Sequence, residues 1–236
     1  MAGPTLRGIA ILADLSADAL RELERVCQWH RYDRGKQIFD RASLDRDVYF
    51  VVEGRVDIVD FSLTGREVSY ASVAVGGFFG ELAAIDGEPR SASVVAGAPS
   101  VIASLDAAQF RALLGRQPTV AMHVLERLAR IIRSNNERIM DLATLGAVQR
   151  VHRELLRLAG PRSAGPVTVD PAPTQSEIAR RAATTRETVA RVVSTLRHSG
   201  LVRRKGRAMI IDDPAALGRS IERIARVLGP KSKPIN

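Results

Sequence analysis

Cysteine is almost absent: Cys27 is the only one in 236 residues. That excludes intrachain disulfides, cysteine-held zinc and a cysteine-ligated iron–sulfur cluster. It also fits a reducing compartment, so a cytoplasmic location is expected. Aromatic residues make up 4% of the chain, too few for a platform that stacks single-stranded bases. No window approaches the ~18 consecutive apolar residues of a membrane span. The stretch from Met1 to Leu12 lacks the charged start and long apolar run of a signal peptide. Histidine is sparse too. His30, His123, His152 and His198 fall in separate elements, with no metal-ligand spacing and no nucleophile partner. No metal site and no catalytic constellation emerges, and the chain reads as a non-enzyme.

What the chain has is positive charge, unevenly placed. The formal net charge is +9. Residues 1–115 carry 12 basic and 16 acidic side chains, 116–150 carry 6 and 3, and 151–236 carry 17 and 7. An excess concentrated in the C-terminal part fits either a polyanion partner or a solvated basic surface, and with so few aromatics the polyanion expected is double-stranded DNA.

The hydrophobic rhythm changes twice. Leu20, Leu23 and Val26 follow Ser16 at helical spacing. From Trp29 to Leu105 short apolar runs predict strands at 48–52, 56–59, 68–75, 94–95 and 101–103. Glu53-Gly54, Thr64-Gly65, Gly76-Gly77 and Asp86-Gly87 read as the turns between them. Such spacing indicates a jelly-roll sandwich or barrel. After Pro118 a helix takes over, with Ala121, Leu125, Leu128, Ile132, Asn135, Ile139, Leu142 and Gly146 at steps of four and three. That is a coiled-coil seam, predicting a homodimer through residues 118–146. A further helix at 148–158 is broken by Gly160 to Pro166, and a short strand follows at 167–169.

Thr174-Gln175-Ser176-Glu177 is a capping-box start. Ala183-Thr184-Thr185 turns into a second helix with Val189, Val192, Val193 and Leu196 inward, and a hairpin over 201–211 completes a winged helix-turn-helix. The second helix leaves Arg186, Glu187 and Ala190 outward, with Arg191 further along. Arginine can fork onto the O6/N7 edge of guanine and glutamate can accept from cytosine N4. Arg180, Arg181, Arg203, Arg204, Lys205 and Arg207 are expected at phosphates, which position without specifying. The stretch from Ser220 onward reads as a short helix and a basic tail at Pro230 to Pro234.

The order of jelly roll, long helix and winged helix-turn-helix, with Arg-Glu-Thr-Val-x-Arg at 186–191, resembles the bacterial cyclic-AMP receptor protein and fumarate–nitrate regulator superfamily of transcription factors. The resemblance covers nearly the whole chain. It implies an α+β fold in three parts: a cyclic-nucleotide-binding jelly roll at 1–117, a dimerisation helix at 118–146, and a DNA-binding winged helix-turn-helix at 147–236. It implies a pseudo-palindromic operator of TGTGA type, with Arg186 and Arg191 facing guanines and Glu187 a cytosine. The expected DNA set is Thr174, Gln175, Thr185, Arg186, Glu187, Thr188, Arg191 and Lys205. Ala183 departs from the glycine often found in the turn.

Phe79-Gly80-Glu81-Leu82-Ala83 and Pro89-Arg90-Ser91-Ala92-Ser93 resemble the phosphate-binding cassette of cyclic-nucleotide-binding domains. The chemistry stands beside the resemblance. Arg90 can meet a cyclic phosphodiester with a forked pair of donors. A helical turn near Glu81 offers backbone N–H groups, and Ser91 offers a hydroxyl. Glu81, acceptor-only when ionised, suits a ribose 2′-OH, and Gly80 admits close backbone approach. Leu82 joins the set, and Ile58, Tyr70 and Ala71 are expected as the apolar wall around sugar and base.

Asn135 and Asn136 stand where the family places two polar residues that bond the adenine amino group, in place of the usual Thr and Ser. Ile131 stands where some members have an arginine. The resemblance implies cyclic AMP as the allosteric ligand, and since an amide both donates and accepts, cyclic GMP stays open. Asn135 also has a register-fixing reading within the seam. The implied protein is a cyclic-AMP-responsive regulator, with RNA polymerase as a further partner. A factor of the same fold that ignores nucleotides or senses another small molecule is the alternative.

Overall fold

The computed structural model describes residues 3–61, 67–160 and 165–228, leaving aside the side chains of 61, 67–70 and 222–228. It divides into two compact units, Met1–Ile132 and Arg133–Asn236.

The first unit opens with two short 3₁₀ turns and α1 (Ala17–Val26), capped by Ser16, whose hydroxyl accepts from the Ala19 N–H. Then come β1 (Gln28–Tyr32), β2 (Gln37–Phe39), β3 (Val48–Glu53), β4 (Arg55–Phe61), β5 (Glu67–Ala74) and β6 (Phe78–Phe79). α2 (Glu81–Asp86) interrupts, followed by β7 (Ser93–Ala96), β8 (Ser100–Leu105) and α3 (Ala107–Arg116). The strands form two four-stranded antiparallel sheets, ordered β1-β8-β3-β6 and β2-β7-β4-β5, giving the expected jelly roll. Glu53-Gly54 makes a tight turn because Gly54 adopts φ +81°. Thr64-Gly65 lies outside the described residues. Asp86-Gly87 is corrected: no strand precedes it, and Gly87 (φ +78°) closes the C-terminus of α2.

Two apolar clusters fill this unit. One gathers Leu6, Leu12, Phe50, Phe78 and Phe110, with Val120 and Val124 of α4 (Pro118–Thr144). The other holds Phe39, Tyr49, Val51, Phe79 and Val94. Cys27 is a core residue whose thiol is pushed up to about 12, chiefly by burial, so it carries no thiolate chemistry near neutrality.

α4 carries the expected stripe over most of its length: Leu125, Ile132, Ile139 and Leu142 are each more than half exposed. The seam is corrected at its last position. The helix ends at Thr144, and Gly146 is the N-cap of α5 (Ala147–Ala159), its N–H donating to Gln149 Oε1 at 2.8 Å.

The second unit continues with β9 (Val167–Val169), α6 (Gln175–Arg181), α7 (Arg186–His198), β10 (Val202–Lys205), β11 (Ala208–Ile211) and α8 (Pro214–Leu228). Its sheet runs β10-β11-β9. Val151, Leu155, Ile178, Val189, Val192, Ile211 and Leu217 form its core. Buried His152 shares a 2.8 Å contact with the Ser220 hydroxyl, and burial draws its imidazole below the usual range. The helix at the C-terminus starts at Pro214, earlier than the sequence indicated, since Asp213 caps its first turn by accepting from the Ala216 N–H. Pro161–Ala164 of the breaker and Pro230–Pro234 of the tail lie outside the described residues.

The turn between α6 and α7 explains the departure at Ala183. Thr184 N–H reaches the Ala179 carbonyl at 2.9 Å and Ala183 N–H the Arg180 carbonyl at 3.2 Å, the paired bonds of a Schellman ending. That ending forces a left-handed residue, and Ala183 takes φ +48°. Arg150 holds the arrangement, donating Nε to the Ala182 carbonyl and Nη2 to the Ala183 carbonyl, both at 2.9 Å. Because Ala183 is exposed, Ala183→Gly relieves strain without losing packing. The expected gain is about 0.5–1 kcal/mol, the left-handed cost less the glycine's extra unfolded-state entropy. Urea denaturation followed through the second unit's helical signal should shift to a higher midpoint, and a lower one would contradict this account.

Candidate ligand-binding and nucleic-acid-binding sites

In the first unit everything converges on Arg90. Its side chain is 1% exposed. The guanidinium lies 4.1 Å above the Phe39 ring and 5.5 Å from the Tyr49 ring centroid, a shelf continuous with the sheet core. Nη1 donates to the Gly80 carbonyl at 3.0 Å, and Nη2 to the Asp47 carbonyl at 2.9 Å and Asp45 Oδ2 at 2.5 Å. Nε is buried with no hydrogen-bond partner. Tyr49 donates its hydroxyl to the same Asp45 oxygen at 2.8 Å, and burial followed by that bond pushes its phenol up.

Gly80 caps α2 in the left-handed region, φ +84°. A Cβ there would lie 2.7 Å from Arg90 Nη1 and 2.8 Å from the Asp47 carbonyl oxygen. Glu81, the next residue, is 6% exposed. Burial pushes its carboxyl up, opposed by its own backbone N–H and by Arg127 and Arg90. Arg127 reaches in from α4, donating Nη2 to the Phe78 carbonyl at 2.7 Å with its guanidinium 4.3 Å above the Phe78 ring. A buried carboxyl under the influence of the Arg127 and Arg90 guanidiniums, the latter with an unused donor, is chemically able to meet an anion that also carries a hydroxyl.

Leu82 and Ser91 are exposed at the edge of this group. Ile58 and Ala71 are cross-strand partners of β4 and β5, and Ile58 packs on the cluster that carries the Arg90 shelf. Tyr70 lies in β5, with its side chain outside the described residues. Asn135 and Asn136 are exposed on α4.

In the second unit α7 begins at Arg186 behind Thr185, whose hydroxyl accepts from the Thr188 N–H at 3.2 Å. Thr174 does the same for α6, accepting from Glu177 N–H while Glu177 Oε2 accepts from Thr174 N–H at 2.6 Å. Arg186, Glu187 and Arg191 are exposed, as are Arg204 and Lys205 of the wing. The Glu187 carboxyl is held below the usual range by its own backbone N–H, then by the Thr185 hydroxyl. A cavity of about 340 Å³ where α6, α7 and β10 meet is lined by Gln175, Arg186, Arg197, Arg203 and Arg204.

The chain matches the cyclic nucleotide-binding domain family over residues 29–117 and the Crp-like helix-turn-helix domain family over 149–220. The cyclic AMP receptor protein of Thermus thermophilus is 34% identical over 172 residues, covering 73% of this chain and 78% of that protein. The chain belongs to the cyclic-AMP receptor protein and fumarate–nitrate regulator superfamily. The CRP-like cAMP-activated global transcriptional regulator of Mycobacterium tuberculosis is 28% identical over 212 residues, covering 89% of this chain and 95% of that protein. The crystal structure of the Thermus thermophilus catabolite activator protein superposes with a TM-score of 0.52 at 30% identity, covering 93% of this chain and 99% of that one. This member of the superfamily is a cyclic-nucleotide-binding transcription regulator.

Three residues that the structure brings to Arg90, Gly80 and Glu81 carry no sequence signal of their own: Asp45, Phe39 and Arg127. Arg127 had the best chance of being found, since it lies one helical turn before Ile131 and so on the same face of α4. Among the expected phosphate contacts, Arg203 and Arg207 are paired to Asp212 and Asp170, each at 2.8 Å, and Arg181 approaches Glu154 at 3.6 Å.

Proposed function

We propose that this regulator is a homodimer that binds a TGTGA-type palindrome when cyclic AMP occupies the jelly roll. The observation that carries the reading is Arg90: a guanidinium removed from water, stacked on aromatic rings, with one N–H facing no acceptor. Leaving such a donor unpaired is costly, and a cyclic phosphodiester supplies the missing oxygen. Gly80 admits the phosphate, Ser91 and Leu82 flank it, and Glu81 takes the ribose hydroxyl. Ile58, Tyr70 and Ala71 wall the sugar and base. Asn135 and Asn136 bond the base edge, and the exposed Leu125, Ile132, Ile139 and Leu142 are buried against a second copy.

On DNA, Arg186 and Arg191 read guanines and Glu187 a cytosine, while Thr174, Gln175, Thr185, Thr188 and Lys205 hold the backbone. Two recognition helices must meet half-sites one helical turn, ~34 Å, apart. The ligand acts by binding the DNA-competent arrangement more tightly than the other. RNA polymerase is the partner of the promoter-bound dimer.

The test is fluorescence anisotropy with a TGTGA/TCACA duplex, without nucleotide and with saturating cyclic AMP or cyclic GMP. Cyclic AMP should tighten binding at least tenfold, with a smaller effect from cyclic GMP. Equal affinity in all three conditions would overturn the ligand-switch reading.

A further inference from the structure

A guanidinium has five N–H donors in a fixed fork, and its most specific mode pairs Nε and one Nη with two oxygens of a single anion. Arg90 is caught halfway. Asp45 occupies Nη2, the Asp47 carbonyl shares it, the Gly80 carbonyl occupies Nη1, and Nε is left buried and unpaired. One carboxylate oxygen therefore does part of what a phosphate would do with two.

Asp45 is also the least anchored member of the group. It belongs to the loop between β2 and β3, is 37% exposed at its side chain, and follows Leu44, which is 95% exposed. Apart from Arg90, the hydrogen bond holding it is the one from the Tyr49 hydroxyl. The Asp47 carboxyl stands close enough that Asp45 helps to push it up, after burial. The guanidinium thus faces a loop carboxylate that can leave, with the Asp47 carboxyl close enough to feel its charge.

We infer that Asp45 is a stand-in anion for the ligand's phosphate, a residue that sets both the affinity and the charge preference of the pocket. The inference rests on the nucleotide reading above. A cyclic nucleotide must displace the carboxylate to gain the Nε–Nη2 edge, so its apparent affinity is the clamp's intrinsic affinity reduced by the competition. The displaced carboxylate remains nearby and repels in proportion to ligand charge. A cyclic diester carries one negative charge, whereas a linear nucleotide 5′-monophosphate carries close to two. Asp45 therefore favours the cyclic ligand over its hydrolysis product.

The experiment is isothermal titration of the full chain, wild type, Asp45→Asn and Asp45→Ser, with cyclic AMP, 5′-AMP and inorganic phosphate. Both variants should bind cyclic AMP at least tenfold more tightly than wild type, and the preference for cyclic AMP over 5′-AMP should narrow at least threefold. A purely structural role for Asp45 would leave that ratio unmoved. Unchanged or weaker cyclic AMP binding in folded variants, with the ratio preserved, overturns the inference while leaving the pocket's nucleotide reading intact. If no protein binds cyclic AMP but the variants alone take up inorganic phosphate, the nucleotide reading fails and the stand-in role holds. If the variants match wild type towards all three probes, the stand-in role is wrong.

Discussion

Gly80→Ala is expected to cost about 1.5–4 kcal/mol of first-unit stability, left-handed strain plus overpacking less the unfolded-state entropy that alanine saves, and to abolish cyclic-nucleotide binding. Two separate penalties meet there. The residue sits at φ +84°, where a Cβ crowds its own backbone. The added carbon would also lie 2.8 Å from the Asp47 carbonyl oxygen and 2.7 Å from Arg90 Nη1. The guanidinium can retreat only by leaving the Gly80 carbonyl and the Phe39 face, and the backbone oxygen cannot retreat without moving the start of β3. Gly87→Ala is the built-in comparison. It has nearly the same dihedral, φ +78°, but nothing within 4 Å of the added carbon, so only strain remains, about 0.5–1 kcal/mol after the unfolded-state entropy that alanine saves. Urea denaturation of both variants, with calorimetric titration of cyclic AMP, separates the two penalties. Equal losses would mean that the crowding around Arg90 is not felt.

Arg186→Ala should weaken binding to the TGTGA palindrome by about 1–3 kcal/mol per half-site and relax discrimination at the guanine it reads. The side chain is exposed at the first turn of α7, whose fold rests on Val189, Val192 and Leu196 on the opposite face, so the domain should stay folded. Lys205→Ala on the wing should behave differently. It should weaken all duplexes alike and reduce the salt dependence by about one counterion. Anisotropy titrations against the palindrome and duplexes with each half-site position changed would show this. An Arg186 variant that loses affinity equally on every duplex would assign it to the backbone instead of a base.

β3, β7 and β8 are legible because their apolar runs are buried almost throughout, and β4 because Val56 and Val59 are buried between half-exposed residues. β1 is not, since Gln28–Tyr32 forms an edge paired only with β8 and is nowhere fully buried. α3 has a weak apolar stripe, but Asp106 caps it by accepting from the Ala108 and Gln109 N–H groups, and Asp followed three residues later by Gln is a start signal of capping-box type. Gly80, Glu81 and Arg90 are legible because they lie within one short stretch of chain. Asp45 and Phe39 are not, because the sandwich topology brings them to Arg90 from about fifty residues away. Asp86-Gly87 misleads because an Asx-Gly pair ends a helix as readily as it joins two strands.

Arg127 couples two pieces of machinery that the chain encodes far apart. Its aliphatic stem belongs to α4, yet its head is fastened to the Phe78 carbonyl and faces Glu81. The strand that leads into the nucleotide cassette and the helix bearing the exposed leucine–isoleucine stripe are therefore riveted at one point, like a pushrod and its lever. A change in the charge or position of the Glu81 carboxyl would be felt electrostatically at that rivet, without needing the sheets to deform.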